Sequence, residues 1–213
     1  MSYIFSILPA LTSGLAITFE VFIVTLVFSI PLGLIVAIGR ISKINIVSMA
    51  VQLYILIMRG TPLLLQLVVM FFGLPYVGIV FDRKTSALLT FVLNYAAYFA
   101  EIFRGGIESI DVGQYEGAAV LGLSKTRTFT RIILPQMFKR VLPPVGNEVI
   151  TLVKDTSLVY ILGLGELLRA GEIASNRDAT LTPLMVVGVY YIIIIGVFTE
   201  VFRKMEKRYS YYQ

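Results

Sequence analysis

Apolar residues dominate five stretches of this chain, and the polar residues gather between them. From Leu15 to Ile38, Glu20 is the only charge; Arg40 and Lys43 follow. A second apolar stretch runs from Ile44 to Phe72. It is longer than the roughly 20 residues that one crossing needs, and it is interrupted at Arg59-Gly60-Thr61-Pro62. Proline removes a backbone donor and pushes the residue before it away from helix, so a kink or break is predicted there. Gly73, Pro75 and Gly78 mark a turn, and Asp82-Arg83-Lys84 a loop. The third stretch is Ser86 to Phe103. The polar segment Arg104 to Arg140 separates it from the fourth, Leu142 to Leu164, which carries Glu148, Lys154 and Asp155. Gly165 to Thr180 reads as a polar loop and Pro183 to Phe202 as the fifth stretch, closed by Arg203, Lys204, Lys207 and Arg208. The pattern predicts an all-α integral membrane protein of about five transmembrane helices, forming one domain over residues 1–213. No internal repeat is visible, and five spans do not divide into inverted halves.

Composition supports the membrane class. The 213 residues are 57% hydrophobic and 15% charged, against about a quarter charged in soluble domains. Cysteine and histidine are absent. Disulfides, thiolate chemistry, a Ser-His-Asp arrangement and the usual zinc ligands are therefore excluded. No catalytic residue and no metal ligand is assigned. The first Lys or Arg is Arg40, which does not suit a secretory signal peptide and favours an external N-terminus. With that orientation, twelve of the 18 Lys and Arg fall in the region around Arg40, in 104–140 or after Phe202. That asymmetry follows the positive-inside rule. Without tryptophan, an interfacial aromatic belt must use tyrosines such as Tyr209, Tyr211 and Tyr212.

The segment Tyr115 to Gln136 is polar, basic and glycine-punctuated. Glu116 to Leu123 holds good helix formers, with Gly122 placed to end a helix. Ser124 is placed to cap a second helix through Arg131, closed by Pro135. Small side chains at Ala118, Ala119 and Gly122 admit close approach by another protein. Gly117 and Gly122 followed by Lys125-Thr126 do not make a phosphate-binding loop, because Leu123 and Ser124 intervene and no strand precedes.

The spacing Glu116, Ala118, Gly122, nine residues, then Ile132-x-Leu134-Pro135 resembles the cytoplasmic E-A-A-x3-G-x9-I-x-L-P loop of bacterial ABC importer permeases. Gly117 departs from the pattern by replacing its second Ala. Arg59 to Gln66 (RGTPLLLQ) is similar to a segment of the polar amino-acid permease subfamily. Ala96-Ala97-Tyr98, Glu101 and Arg104-Gly105-Gly106-Ile107 are similar to its third-span ending, and Asn147-Glu148 with Lys154 to Leu158 to its fourth-span signature. The resemblance covers roughly residues 13–205. It implies a type I importer of the bacterial cytoplasmic membrane. The partners implied are a second permease chain (identical or related), two ATP-binding cassette subunits, an external amino-acid-binding protein and membrane lipid, with no nucleic acid. It implies no cofactor on this chain, ATP and magnesium belonging to the ATPase subunits, and alternating access driven by ATP. Residues 111–136 would be the loop coupling to the ATPase, through Glu116, Ala118, Gly122, Leu123 and Ser124.

Ionisable groups inside spans are costly and mark functional candidates. Asn94, Tyr98 and Glu101 share one helical face, as do Glu148, Thr151 and Asp155. These six are the substrate-pathway candidates. Two acidic faces would favour a cationic solute such as arginine, lysine or histidine, and the resemblance extends the class to glutamine. Each has a plainer reading. Glu101 can pair with Arg104, Glu148 can cap or pair with Arg59, and Lys154 and Asp155 point apart. Glu20 stands alone. Arg59 suits pairing that fixes the kink, or a substrate carboxylate. A competing function is an ion- or proton-coupled amino-acid carrier, which leaves the basic loop unexplained.

Overall fold

The structure, a computed structural model, describes residues 2–209, and among these there is no strand. Tyr211 and Tyr212 lie outside the described residues. The first helix, α1, spans Ser2–Arg40. It starts well before the predicted Leu15, because Ile7 and Leu11 find cover against Leu167, Ala174 and Val187 near the far end of the chain. α2 (Asn45–Gly60) and α3 (Leu63–Val68) follow, the latter extended by a π turn, Val69–Gly73, and a 3-10 turn, Leu74–Val77. α4 is Arg83–Glu108, capped by Asp82, whose carboxylate accepts from the backbone N–H of Lys84 and Thr85. α5 (Val112–Val120) and α6 (Lys125–Thr128) form the polar segment. A π turn, Phe129–Ile133, joins α6 to α7 (Leu134–Asp155), and a 3-10 segment, Thr156–Leu162, continues it. α8 is Leu167–Asp178 and α9 is Thr182–Tyr209.

The core is the packing of α1 on α4. In a membrane the tails are as apolar as leucine, so helices associate by close fit, and small residues permit it. Ala37, Ala96, Ala97 and Ala100 are fully buried. A Cβ on Gly33 would stand 2.7 Å from the Phe99 Cβ, and one on Gly106 would stand 2.2 Å from the Val141 Cγ1, so these crossings require glycine. An ion pair between Lys84 and Glu20 at 2.5 Å gives the lone charge of α1 a partner on α4.

Two sequence expectations are corrected here. The predicted polar loop 165–180 is largely helix α8. Glu166 caps it, accepting from the N–H of Leu168 (2.7 Å) and Arg169 (2.6 Å), while Leu167, Gly171, Ala174 and Ser175 form its buried face. The second helix of the basic loop does not stop at Pro135. It passes through the π turn and continues to Asp155, because the wider turn accommodates a residue without an N–H.

Among the described residues, length and apolarity alone mark three to four spans. α1, α4 and α9 are long and apolar enough to cross a membrane, and the bent pair formed by α2 and 63–77 makes a fourth. α7, which overlaps the predicted fourth stretch from Leu142 and begins before it, carries Lys139, Arg140, Glu148, Lys154 and Asp155 and does not meet that standard of apolarity. Only 6% of the apolar window of α9 is buried, which leaves Met185, Ile192 and Val197 facing outward.

Candidate functional site

The predicted break is present, with the segments on either side of Thr61-Pro62 bent by 104°. A helix that stops abruptly leaves its last carbonyls without intrahelical partners. Thr61 Oγ1 donates to the Ile57 carbonyl at 2.8 Å. The Met58 carbonyl accepts from Gln66 Nε2 and from Asn94 Nδ2, both at 2.9 Å, and Asn94 also donates to Gln66 Oε1. Asn94 therefore fastens α4 to the break. Tyr54 Oη donates to the Leu93 carbonyl and secures the same pair of helices.

The break opens a cavity of about 510 Å³ between α2, α4 and α7. One wall is Arg59 to Leu63; the facing wall carries Glu148, Thr151 and Asp155, and Asn94, Tyr95 and Tyr98 lie between. Five of the six pathway candidates meet here, the Glu148, Thr151 and Asp155 face of α7 entire among them. Glu101 lies elsewhere, in a neighbouring cavity of about 380 Å³ with Arg40, Gln52, Ile55, Leu56, Arg59 and Gly60.

The charges are ordered by a few contacts. Tyr95 Oη donates to Asp155 Oδ2 at 2.7 Å, holding that carboxylate at the edge of the cavity. Arg104 grips Glu101 with a fork, Nε to Oε1 at 3.0 Å and Nη2 to Oε2 at 2.8 Å, and reaches Glu108 at 2.5 Å. Arg59 Nη1 stands 3.6 Å from Glu101 Oε2, and its guanidinium lies 5.2 Å over the Tyr98 ring. Arg59 also lines the same cavity as Glu148.

At the end where α4 stops and α7 begins, α5 and α6 project as a separate exposed feature. Leu123 N–H donates to the Ala118 carbonyl and Gly122 N–H to the Ala119 carbonyl, both at 3.0 Å, and Gly122 has φ +70°. This is a helix stop that favours glycine. The Ser124 hydroxyl accepts from Arg127 N–H at 3.4 Å and starts α6. Glu116, Gly122 and Ser124 are exposed and Leu123 is half-buried, but Ala118 is buried at 2%. Ala118 packs the loop and offers nothing to an incoming surface. Val120 and Leu121, 88% and 77% exposed, form an apolar tip that the spacing argument passed over.

Residues 29–211 match the family described as binding-protein-dependent transport system inner membrane component. The chain belongs to that family. Among relatives of this inner-membrane component, it is 35% identical over 203 residues to the arginine transport system permease protein ArtQ of Bacillus subtilis, covering 94% of this chain and 93% of the relative. It is 35% identical to the glutamine transport system permease protein GlnP of Escherichia coli K12, covering 97% and 96%. The L-cystine transport system permease protein TcyL of Bacillus subtilis is also 35% identical, over 98% and 90%. The fold matches the solved structure of an amino acid ABC transporter with histidines at a TM-score of 0.90, with 29% identity and 97% of each chain covered. An inward-facing MetNI methionine ABC transporter structure matches at 0.73 with 18% identity, a likeness of fold.

Two site residues of this family member escaped sequence reasoning. Tyr95 sits beside Ala96 and Ala97 in a run that reads as packing, and its role appears only when α7 is laid against α4. Gln66 lies inside an apolar run, and its isolation as an amide among leucines was the available signal.

Proposed function

We propose that this chain is the permease subunit of an ATP-driven amino-acid importer, and that the 510 Å³ cavity receives a polar or cationic amino acid on its way across the membrane. The observation that carries this reading is the opposition of charge across one cavity. The Arg59 guanidinium lines it beside the open backbone of the break, and Glu148 and Asp155 line it from α7. An α-amino acid carries one carboxylate and one ammonium, and a planar guanidinium fork suits the carboxylate. Two carboxylates on the facing wall suit the ammonium and a second positive group on the side chain. The names of the relatives, arginine and glutamine permeases among them, support the same class.

We assign no nucleotide site to this chain. The α5–α6 unit, capped by Ser124 and stopped by Gly122, is the element we assign to coupling with an ATPase partner, where ATP and magnesium are held. Its apolar tip, Val120 and Leu121, is the surface offered to that partner. The outward-facing apolar residues of α2, such as Ile46, Met49 and Leu53, suit lipid or a second permease chain. Five crossings, counting α7, with the N-terminus external remain the topology proposed.

Calorimetric titration of arginine into the purified permease–ATPase complex, without an external binding protein, tests the cavity. Binding to wild type that weakens at least about tenfold in Asp155→Asn, equivalent to about 1.4 kcal/mol, is expected. Equal binding in both, or none in wild type, contradicts it.

A further inference from the structure

We infer that Arg59 is a latch between the amino-acid cavity and a second chamber on the side of the α5–α6 loop, held shut by Glu101. This rests on the reading of the first cavity as the solute site. The two cavities, of about 510 and 380 Å³, have Arg59 and Gly60 as a shared wall. The second chamber lies toward the coupling loop. It contains Arg40, the last residue of α1, and Glu101, which is nearer the loop end of α4 than Asn94 and Tyr98 are. A solute leaving the first cavity in that direction passes the Arg59 side chain.

The two ends of the pair are held unequally. Glu101 is fixed, because the Arg104 fork occupies both of its oxygens at 2.8–3.0 Å. Arg59 is not: its contact with Glu101 is 3.6 Å, longer than a hydrogen bond, and its side chain is 42% exposed. Tyr98 supports the guanidinium from below by a cation–π contact at 5.2 Å, a weak interaction at an open site. A movable cation between a fixed carboxylate and a cavity can exchange partners. The carboxylate of an amino acid in the cavity offers two oxygens to the Arg59 fork, which Glu101, already engaged by Arg104, does not. Solute arrival therefore draws Arg59 off Glu101 and opens the wall between the chambers. With the cavity empty, Arg59 returns to Glu101 and the wall is closed. Glu101 is a positioning residue in this account. It acts on the path through Arg59 and does not touch the solute while the latch is shut.

Thiol accessibility tests the latch, since the chain has no native cysteine. Thr151→Cys reports the first cavity and Gln52→Cys the second. The permease–ATPase complex is placed in inside-out vesicles without nucleotide, and a charged methanethiosulfonate reagent is added from the loop side. Labelling of this chain is followed by mass. Gln52→Cys is expected to react readily with and without Glu101→Gln. Thr151→Cys is expected to react slowly, and about fivefold faster once Glu101→Gln is added, the factor given by loss of a partly exposed ion pair worth about 1 kcal/mol. An unchanged Thr151→Cys rate while Gln52→Cys still reacts overturns the latch. If Glu101→Gln also silences Gln52→Cys, the fold has been lost. Arg59→Lys then supplies the readout, with the same acceleration expected and an unchanged rate again overturning it. Arginine titration of the Glu101→Gln complex separates this from the cavity reading. Binding retained or tightened is expected, because Arg59 is freed for the solute. Failure of arginine to bind even wild type defeats the cavity reading, and the labelling rates still decide the latch.

Discussion

At the scale of single residues, most charges in this chain have a partner, and the partner explains the position. Glu20 meets Lys84, Glu101 meets Arg104, and Asp155 meets Tyr95. Glu166 differs: its side chain is fully buried and ends on two backbone N–H groups at the start of α8. Burial pushes its carboxyl up to about 7, outweighing the pull of the Leu168 and Arg169 N–H groups toward the ionised form. A carboxyl raised in the folded state binds its proton more tightly than in the unfolded chain. Its contribution to stability is present below about 4.5 and is lost as pH rises through about 7. The folding free energy of the purified protein is therefore expected to weaken between pH 5 and 8 by on the order of 3 kcal/mol, read as a fall in its thermal midpoint. Glu166→Gln keeps a capping oxygen and is expected to flatten that dependence. A slope unchanged in the variant contradicts the assignment.

At this scale the sequence grouped residues that lie close together and was weak on what they contact. Spacing along one helix placed Glu148, Thr151 and Asp155 together, and they line one cavity. The same reasoning grouped Asn94, Tyr98 and Glu101, of which Asn94 and Tyr98 line that cavity while Glu101 lines the second chamber. A helical face spans many ångströms along its axis, so shared facing does not mean a shared cavity. Whether Arg59 met Glu148, Glu101 or a ligand depended on where α2 ends in space, and no local pattern carries that.

At the scale of elements, hydropathy and proline placement located the break between α2 and α3, because Pro62 acts through its own backbone. It missed α8 and the first turns of α1, where cover comes from residues more than 150 positions away, such as Ile7 against Leu167. The α5–α6 turn was legible because its signals are local: a glycine stop and a serine cap. Gly122 is the most exacting of these. At φ +70° a side chain is strained by roughly 1 kcal/mol, and the residue sits on the exposed bend between α5 and α6. Gly122→Asp is expected to leave the protein inserted in the membrane while abolishing solute uptake by the assembled transporter. Membrane-fraction immunoblots and radiolabelled uptake read the two separately. Uptake at the wild-type rate would remove the α5–α6 unit from the coupling path.

At the scale of the whole molecule, a charged cavity lies between helices packed through small residues, and an exposed helical unit stands at one end. α7 joins the two. It runs without interruption from the π turn after α6 to the cavity wall at Glu148 and Asp155. A movement of the α5–α6 unit would reach the carboxylates through this one helix, which carries Pro143 and Pro144 between the two ends. Under the proposed function, that connection is how energy from an ATPase partner would reach the cavity, and it is where a gradient-driven carrier would differ. The decisive measurement is arginine uptake by proteoliposomes holding the permease–ATPase complex and its binding protein. Uptake with ATP and magnesium on the α5–α6 side, and none with a proton or sodium gradient alone, is predicted. Uptake driven by either gradient in the absence of ATP would contradict the account.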